Sequence, residues 1–282
     1  MKYIFYIILL LKVFAIQAQG TIETAFIEHL VNKGDYREAI FLIDKDKFTL
    51  KGTKADSVYY LKGWSHYSLM QLEKSSKALL KVSAESQFYY KARFFAAYNQ
   101  AHLKNYQQAT EIINLTATDE RLYTNLKAFQ LSGIDLLNKN YLIASERLCE
   151  IDSMLSPLYD PLKNLKLIQL ELQKHKTKSP VFASILSSFI PGAGKFYMGR
   201  KGEGISTFIG TVGLGLITWE NYRKLGLKNI KTLFFGSLFA ANYVSNIYGS
   251  AVAAKVVEND YQNVMQNQIL FNLHIPLRNI FE

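Results

Sequence analysis

Histidines stand at 29, 66, 102, 175 and 274, and they are the side chains best suited to proton transfer or metal binding near neutral pH. Their spacing serves neither purpose. No two share a helical turn and none sits beside a partnered nucleophile, so no catalytic residue, no metal site and no cofactor is expected. Gly194-Lys195, inside the stretch "SSFIPGAGKFYMGRKGEG" (187–204), invites the phosphate-loop reading. That motif needs glycine at 189 and Ser or Thr at 196, where the chain has Phe189 and Phe196. No strand pattern precedes it, so the dinucleotide fingerprint fails as well. Cys149 is the only cysteine, which excludes an intrachain disulfide. With Leu148 and Ile151 beside it, it reads as a buried, inert thiol rather than a reactive one. Enzyme chemistry therefore has no visible machinery, and the residues must act by shape and contact.

The elements that would position such contacts follow from composition. Of 282 residues, 49% are hydrophobic and 20% charged, too apolar for a disordered chain. The start, "MKYIFYIILLLKVFAIQAQG", has a basic Lys2, an apolar run and small residues near Ala15 and Ala18. This is the layout of a secretory signal over 1–18, with an uncleaved anchor as the alternative. The net charge of +10 is spread along the chain without a basic block, so nucleic acid is not an expected partner, whereas anionic lipid is.

Four segments, "KGDYREAI", "MQLEKSSK", "LKNYQQAT" and "NKNYLIAS", align on an anchor followed three residues later by a small side chain. The anchors Tyr36, Leu72, Tyr106 and Tyr141 are 36, 34 and 35 residues apart, and the small residues are Ala39, Ser75, Ala109 and Ala144. Such a period marks stacked helix pairs, with the small residue where the two helices approach most closely. Residues 160–178 start with Asp and Pro and read as a closing helix running into a basic linker.

These residues resemble tetratricopeptide repeats over 21 to about 155, through Gly63, Tyr67, Leu69, Leu72 and Ser75 of one unit and Ala97, Leu103, Tyr106 and Ala109 of the next. The resemblance implies a repeat domain over 19–178 with a concave groove for a protein or peptide partner. Carried over by position, that groove holds Tyr60, Trp64, Tyr67, Lys91, Phe94, Tyr98 and Phe129. Helix-on-helix packing is the plainer account of any one of these rings.

The last third carries two uncharged runs, 204–219 and 232–254, of 16 and 23 residues. Between them lie Arg223, Lys224, Lys228 and Lys231. The pattern predicts a membrane domain over 179–259, an interfacial helix plus a transmembrane hairpin with its basic loop cytoplasmic, and a tail over 260–282. A buried helix pair is the alternative. Glycines and alanines at four-residue spacing suit helix–helix association in the membrane, and Asn242 and Asn246 are expected to face the other helix or a partner. Pro191, Gly192, Gly194, Phe196, Tyr197, Gly199, Arg200 and Gly204 then form a membrane-entry motif. They resemble the TM-two domain and its exported bacterial relatives, which carry Pro-Gly-x-Gly ahead of a two-helix membrane module. Together these features predict an all-α chain, a helical repeat solenoid followed by a transmembrane hairpin. Its expected place is the bacterial inner membrane with the repeats periplasmic, and its expected role is a membrane-anchored scaffold. The alternative is an accessory component of an envelope transport or lipid-related membrane complex.

Overall fold

A computed structural model describes residues 24–45 and 53–281. The signal segment expected over 1–18 lies outside the described residues. Among those described, every element is helical and none is a strand. The chain divides into two compact units, one within Met1–Gln173 and Gln268–Glu282, the other Lys174–Asn267.

The first unit is a stack of helix pairs. The described part of α1 covers 24–33, and it is followed by α2 (Tyr36–Lys45), α3 (Thr53–Ser68), α4 (Leu72–Leu79), α5 (Tyr89–His102), α6 (Tyr106–Leu115), α7 (Arg121–Leu137) and α8 (Tyr141–Glu150). The repeat anchors are the first residues of α2, α4, α6 and α8. What sets that register is a turn repeated four times. Gly34, Met70, Lys104 and Lys139, two residues before each anchor, all have positive φ, at 90°, 57°, 65° and 65°. The amide after each of them donates to the carbonyl five residues back, as in Gln71 to His66 and Asn105 to Gln100, both at 2.9 Å. The positive-φ residue itself donates three residues back, as in Lys104 to Ala101 at 3.0 Å. Two such bonds around a left-handed residue close a helix and reverse the chain.

Ala39, Ser75, Ala109 and Ala144 are fully buried, as the spacing requires of residues at the closest helix approach. Ser75 also donates to the Gly63 carbonyl at 2.8 Å and accepts from Asn99 at 2.9 Å, so its hydroxyl costs little when buried. A side chain at Gly63 would meet Leu79 at 2.6 Å, which explains a glycine inside α3. Helix α9 (Tyr159–Lys174) follows in the same unit and buries Leu162, Leu165, Ile168 and Leu172. Cys149 is exposed, contrary to the expected buried thiol. Ala144 and Leu148, one turn apart on α8, point inward, and the next residue is rotated by about 100° off that face.

The second unit holds α10 (Pro180–Phe189), α11 (Ala193–Tyr197), α12 (Lys201–Leu225) and the first part of α13 (Ile230–Phe281). Ser179 caps α10 by accepting from the Phe182 amide, with Pro180 at the first helical position. The transmembrane hairpin does not stand: among the described residues no helix is long and apolar enough to cross a membrane. Freedom from charge is not enough to make a segment apolar. The 204–219 run is 16 residues long and is continued in α12 by Glu220 and preceded by Glu203 and Lys201. The 232–254 run contains Thr232, Ser237, Asn242, Ser245, Asn246 and Ser250, and every such side chain opposes transfer to hydrocarbon. The inner-membrane localisation falls with the hairpin. Side chains such as Phe208, Leu216, Leu233 and Phe234 are nevertheless exposed on these helices.

Residues 260–282, expected as a tail, continue α13 as far as Phe281. The last turns, from Gln268, belong to the first unit. There Ile269, Leu273 and Leu277 are buried at four-residue spacing, while Phe271 is exposed. That is an amphipathic helix against the repeats.

Candidate functional site: a repeat groove holding its own helix

Helix α3 carries Tyr60, Trp64 and Tyr67 at helical spacing, α5 carries Lys91, Phe94 and Tyr98, and α7 carries Phe129. The rings of α3 form a continuous ladder. Tyr60 stacks on Phe88 at 4.3 Å with planes 2° apart, and Trp64 stacks on Tyr67 at 5.3 Å and meets Phe95 edge-on at 5.1 Å. Lys91 Nζ sits 4.3 Å from the Trp64 ring centre and 5.5 Å from that of Tyr60, within cation–π range. Phe94 and Phe129 are fully buried. Burial alone pushes the Tyr98 phenol up to about 12, so it stays protonated under ordinary conditions.

Four of the seven meet residues 268–281 directly. Tyr67 Oη and His274 Nε2 form a hydrogen bond of 2.6 Å. The His274 ring lies 5.4 Å from Tyr98 and 6.2 Å from Phe95, closing an aromatic box around an imidazole. Phe281 stacks on Tyr123 at 5.9 Å and lies 6.1 Å from Phe94. Lys91 Nζ donates to the Phe281 carbonyl at 3.0 Å, a cation at the carbonyl end of a helix, where the helix dipole favours it. Tyr60 and Trp64 lie behind that first row, Tyr60 beside Lys91 and Trp64 beside Lys91, Tyr67 and Phe95, and Phe129 lies one turn before Gly133 on α7.

At Gly133 the backbone of α7 lies close against residues 268–281. A Cβ there would stand 2.4 Å from Leu273 Cδ2, so the missing side chain is the notch that Leu273 fills. Asn164 of α9 donates to Asn272 Oδ1 at 3.0 Å. Phe95, Tyr123, Gly133 and Asn164 escaped the sequence reading, as did the segment itself. Two signals were available: a glycine interior to a helical run at 133, and Ile269, Leu273 and Leu277 at four-residue spacing.

The Pro191–Gly204 motif has a different geometry from the one expected of membrane entry. Gly192 has φ +84, and a Cβ on it would lie 2.3 Å from the Gly204 carbonyl oxygen. At Gly194 the same atom would lie 2.1 Å from the Ala183 carbonyl oxygen, and at Gly204 it would lie 2.6 Å from the Phe196 ring. Gly199 carries a positive φ of 85° at the turn into α12, and Pro191 is half-buried at the turn out of α10. These glycines bring α10, α11 and α12 to backbone contact. The polar groups are satisfied inside the unit: Gly192 N donates to Asn246 Oδ1 at 3.0 Å, Asn246 donates to the Ser187 carbonyl at 3.1 Å, and Ser187 bonds Ser250 at 2.7 Å. Thr211 donates to Asn242 Oδ1 at 2.7 Å, pairing α12 with α13. Lys195 donates to Thr207 at 2.8 Å, Arg200 pairs with Glu203, and Tyr197 meets Phe182 edge-on.

No protein-family model, curated protein or solved structure matches this chain.

Proposed function

We propose that this chain is a helical-repeat scaffold of tetratricopeptide type, whose concave face receives an amphipathic helix of a protein partner. One observation carries the reading: the aromatic faces of α3, α5 and α7 already accommodate such a helix, residues 268–281, through a leucine notch, an imidazole box and a lysine at the helix end. Large rings fixed by their neighbours present contact area at low entropy cost, the property of interface hot spots. Binding, not turnover, is the role that these side chains suit.

The test compares two full-length variants in crosslinked capture from cells. Leu273→Asp weakens the resident helix, and Gly133→Leu fills the notch. A genuine partner is enriched by the first and lost with the second. A partner set identical across wild type and both variants refutes the groove as its binding site.

A further inference from the structure

We infer that residues 268–281 are a built-in competitor, so that the groove opens to a partner only when this segment leaves, and that the partner presents a helix of matching chemistry. The inference rests on the scaffold reading above and adds its regulation and ligand class.

The contacts define what the groove reads. A leucine faces Gly133, where its branched end occupies the space that a Cβ would need. The next residue must be an aromatic or imidazole ring able to sit among Tyr67, Phe95 and Tyr98 and to share a hydrogen bond with the Tyr67 phenol. Eight residues after the leucine comes an aromatic ring between Phe94 and Tyr123, where Lys91 takes a backbone carbonyl. The reading frame is thus Leu-His, then aromatic at the eighth position, on a helix that shows its polar edge to α9 through Asn272.

The segment also has features of a guest rather than a fixture. It lies in a part of the chain remote in sequence from the repeats it touches, with partners up to 207 residues away. Pro276, inside the helix, lacks the amide that would bond the Asn272 carbonyl, which weakens the helix at the middle of the docked stretch. A groove filled this way binds external helices with an affinity reduced by the fraction of time it stands open.

The probe is a fluorescent synthetic peptide of residues 264–282, titrated into full-length protein and followed by anisotropy. Wild type is expected to bind it weakly. Leu273→Asp in the full chain is expected to bind it about tenfold tighter or more, because its own segment no longer competes. Adding Gly133→Leu to that variant is expected to abolish binding, and Arg278→Ala, on the exposed side, to leave wild-type affinity unchanged. A folded Leu273→Asp chain, by far-ultraviolet circular dichroism, that binds no tighter than wild type overturns the inference.

Hydrogen exchange on the unmodified chain guards against a folding defect. Amides of 268–281 are expected to exchange faster than those of α5 and α7. Equal protection overturns the inference, since the helix then never leaves. The two readings separate cleanly. Peptide binding that depends on Leu273, without any partner responding to the two variants, keeps the gate and sinks the scaffold. A partner lost with Gly133→Leu but indifferent to Leu273→Asp keeps the scaffold and sinks the gate.

Discussion

Replacing Gly194 by alanine should unfold the α10–α11–α12 junction locally, and the size of the effect follows from the geometry. The added Cβ would lie 2.1 Å from the Ala183 carbonyl oxygen, 2.8 Å from its carbon and 2.7 Å from Ser187 Oγ. Two of these three atoms are backbone, so no rotamer change relieves the clash. Moving the Ala183 oxygen from 2.1 Å to the 3.4 Å where ordinary contact begins requires α10 and α11 to part by about 1.3 Å, in an interior packed to crystal-like density. That separation stretches the 2.9 Å bond from Gly194 N to Ser187 Oγ, and Ser187 is also held by Ser250. Overpacking costs about 1–3 kcal/mol and a buried group left unsatisfied about the same again, giving ~4 kcal/mol together. At about 1.4 kcal/mol per decade, that is nearly three decades of hydrogen-exchange protection across 180–198.

Two further glycines calibrate the measurement. Gly199 has φ +85 with nothing within 4 Å of its virtual Cβ, so Gly199→Ala carries only the left-handed strain of about 1 kcal/mol. Gly210 is inside α12 with equally open space, so Gly210→Ala should gain about 1 kcal/mol. If Gly194→Ala proves no worse than Gly199→Ala, close backbone approach is not what the glycine at 194 provides, and the junction argument is wrong.

The repeat turns make a complementary prediction: Lys104→Gly and Lys139→Gly should each raise the melting free energy of the repeats by about 0.5–1 kcal/mol, and Gly34→Ala should lower it by a similar amount, read by thermal denaturation. Tyr67→Phe removes one hydrogen bond to His274 while keeping the ring, so exchange of 268–281 should quicken by under about tenfold with α5 unaffected. Burial holds the His66 imidazole below its usual range, only partly countered by its bond to Gln71. The unfolded chain therefore binds a proton that the folded one refuses, and stability present above pH 6.5 is lost as the pH falls below it. His66→Gln should flatten that slope in urea titrations between pH 7 and 5.

The repeats were legible because each unit carries its signals locally. An anchor, a small residue three positions on and a turn two positions before it recur every 34 to 36 residues, and stacking neighbours is the only way such units bury their faces. The groove positions did not follow from the period itself; they were implied by the tetratricopeptide resemblance, carried over by position. The glycine-rich stretch was legible as a junction ahead of a helical pair, read as entry into a membrane, but not as to what its backbone meets. Gly192, Gly194 and Gly204 could equally have faced lipid headgroups or helices, and only the positions of Ala183, Phe196 and Asn246 decide between these. The membrane hairpin fails because its uncharged runs carry too many hydroxyls and amides for hydrocarbon, among them Asn242, bonded to Thr211, and Ser250, bonded to Ser187.

Taken alone, the amino-acid order determined that this is a helical chain, that its first part repeats, and that Tyr60, Trp64 and Tyr67 are at helical spacing, while the longer row of aromatic side chains was implied only by the tetratricopeptide resemblance. The first three are consequences of periodicity, which acts over a few turns. Only the tertiary structure decided that the row is covered by residues 268–281, because the contact of Leu273 with Gly133 or of His274 with Tyr67 joins positions more than a hundred residues apart. No local pattern encodes such a pairing. It follows from which amphipathic helix and which groove complement each other once both have formed.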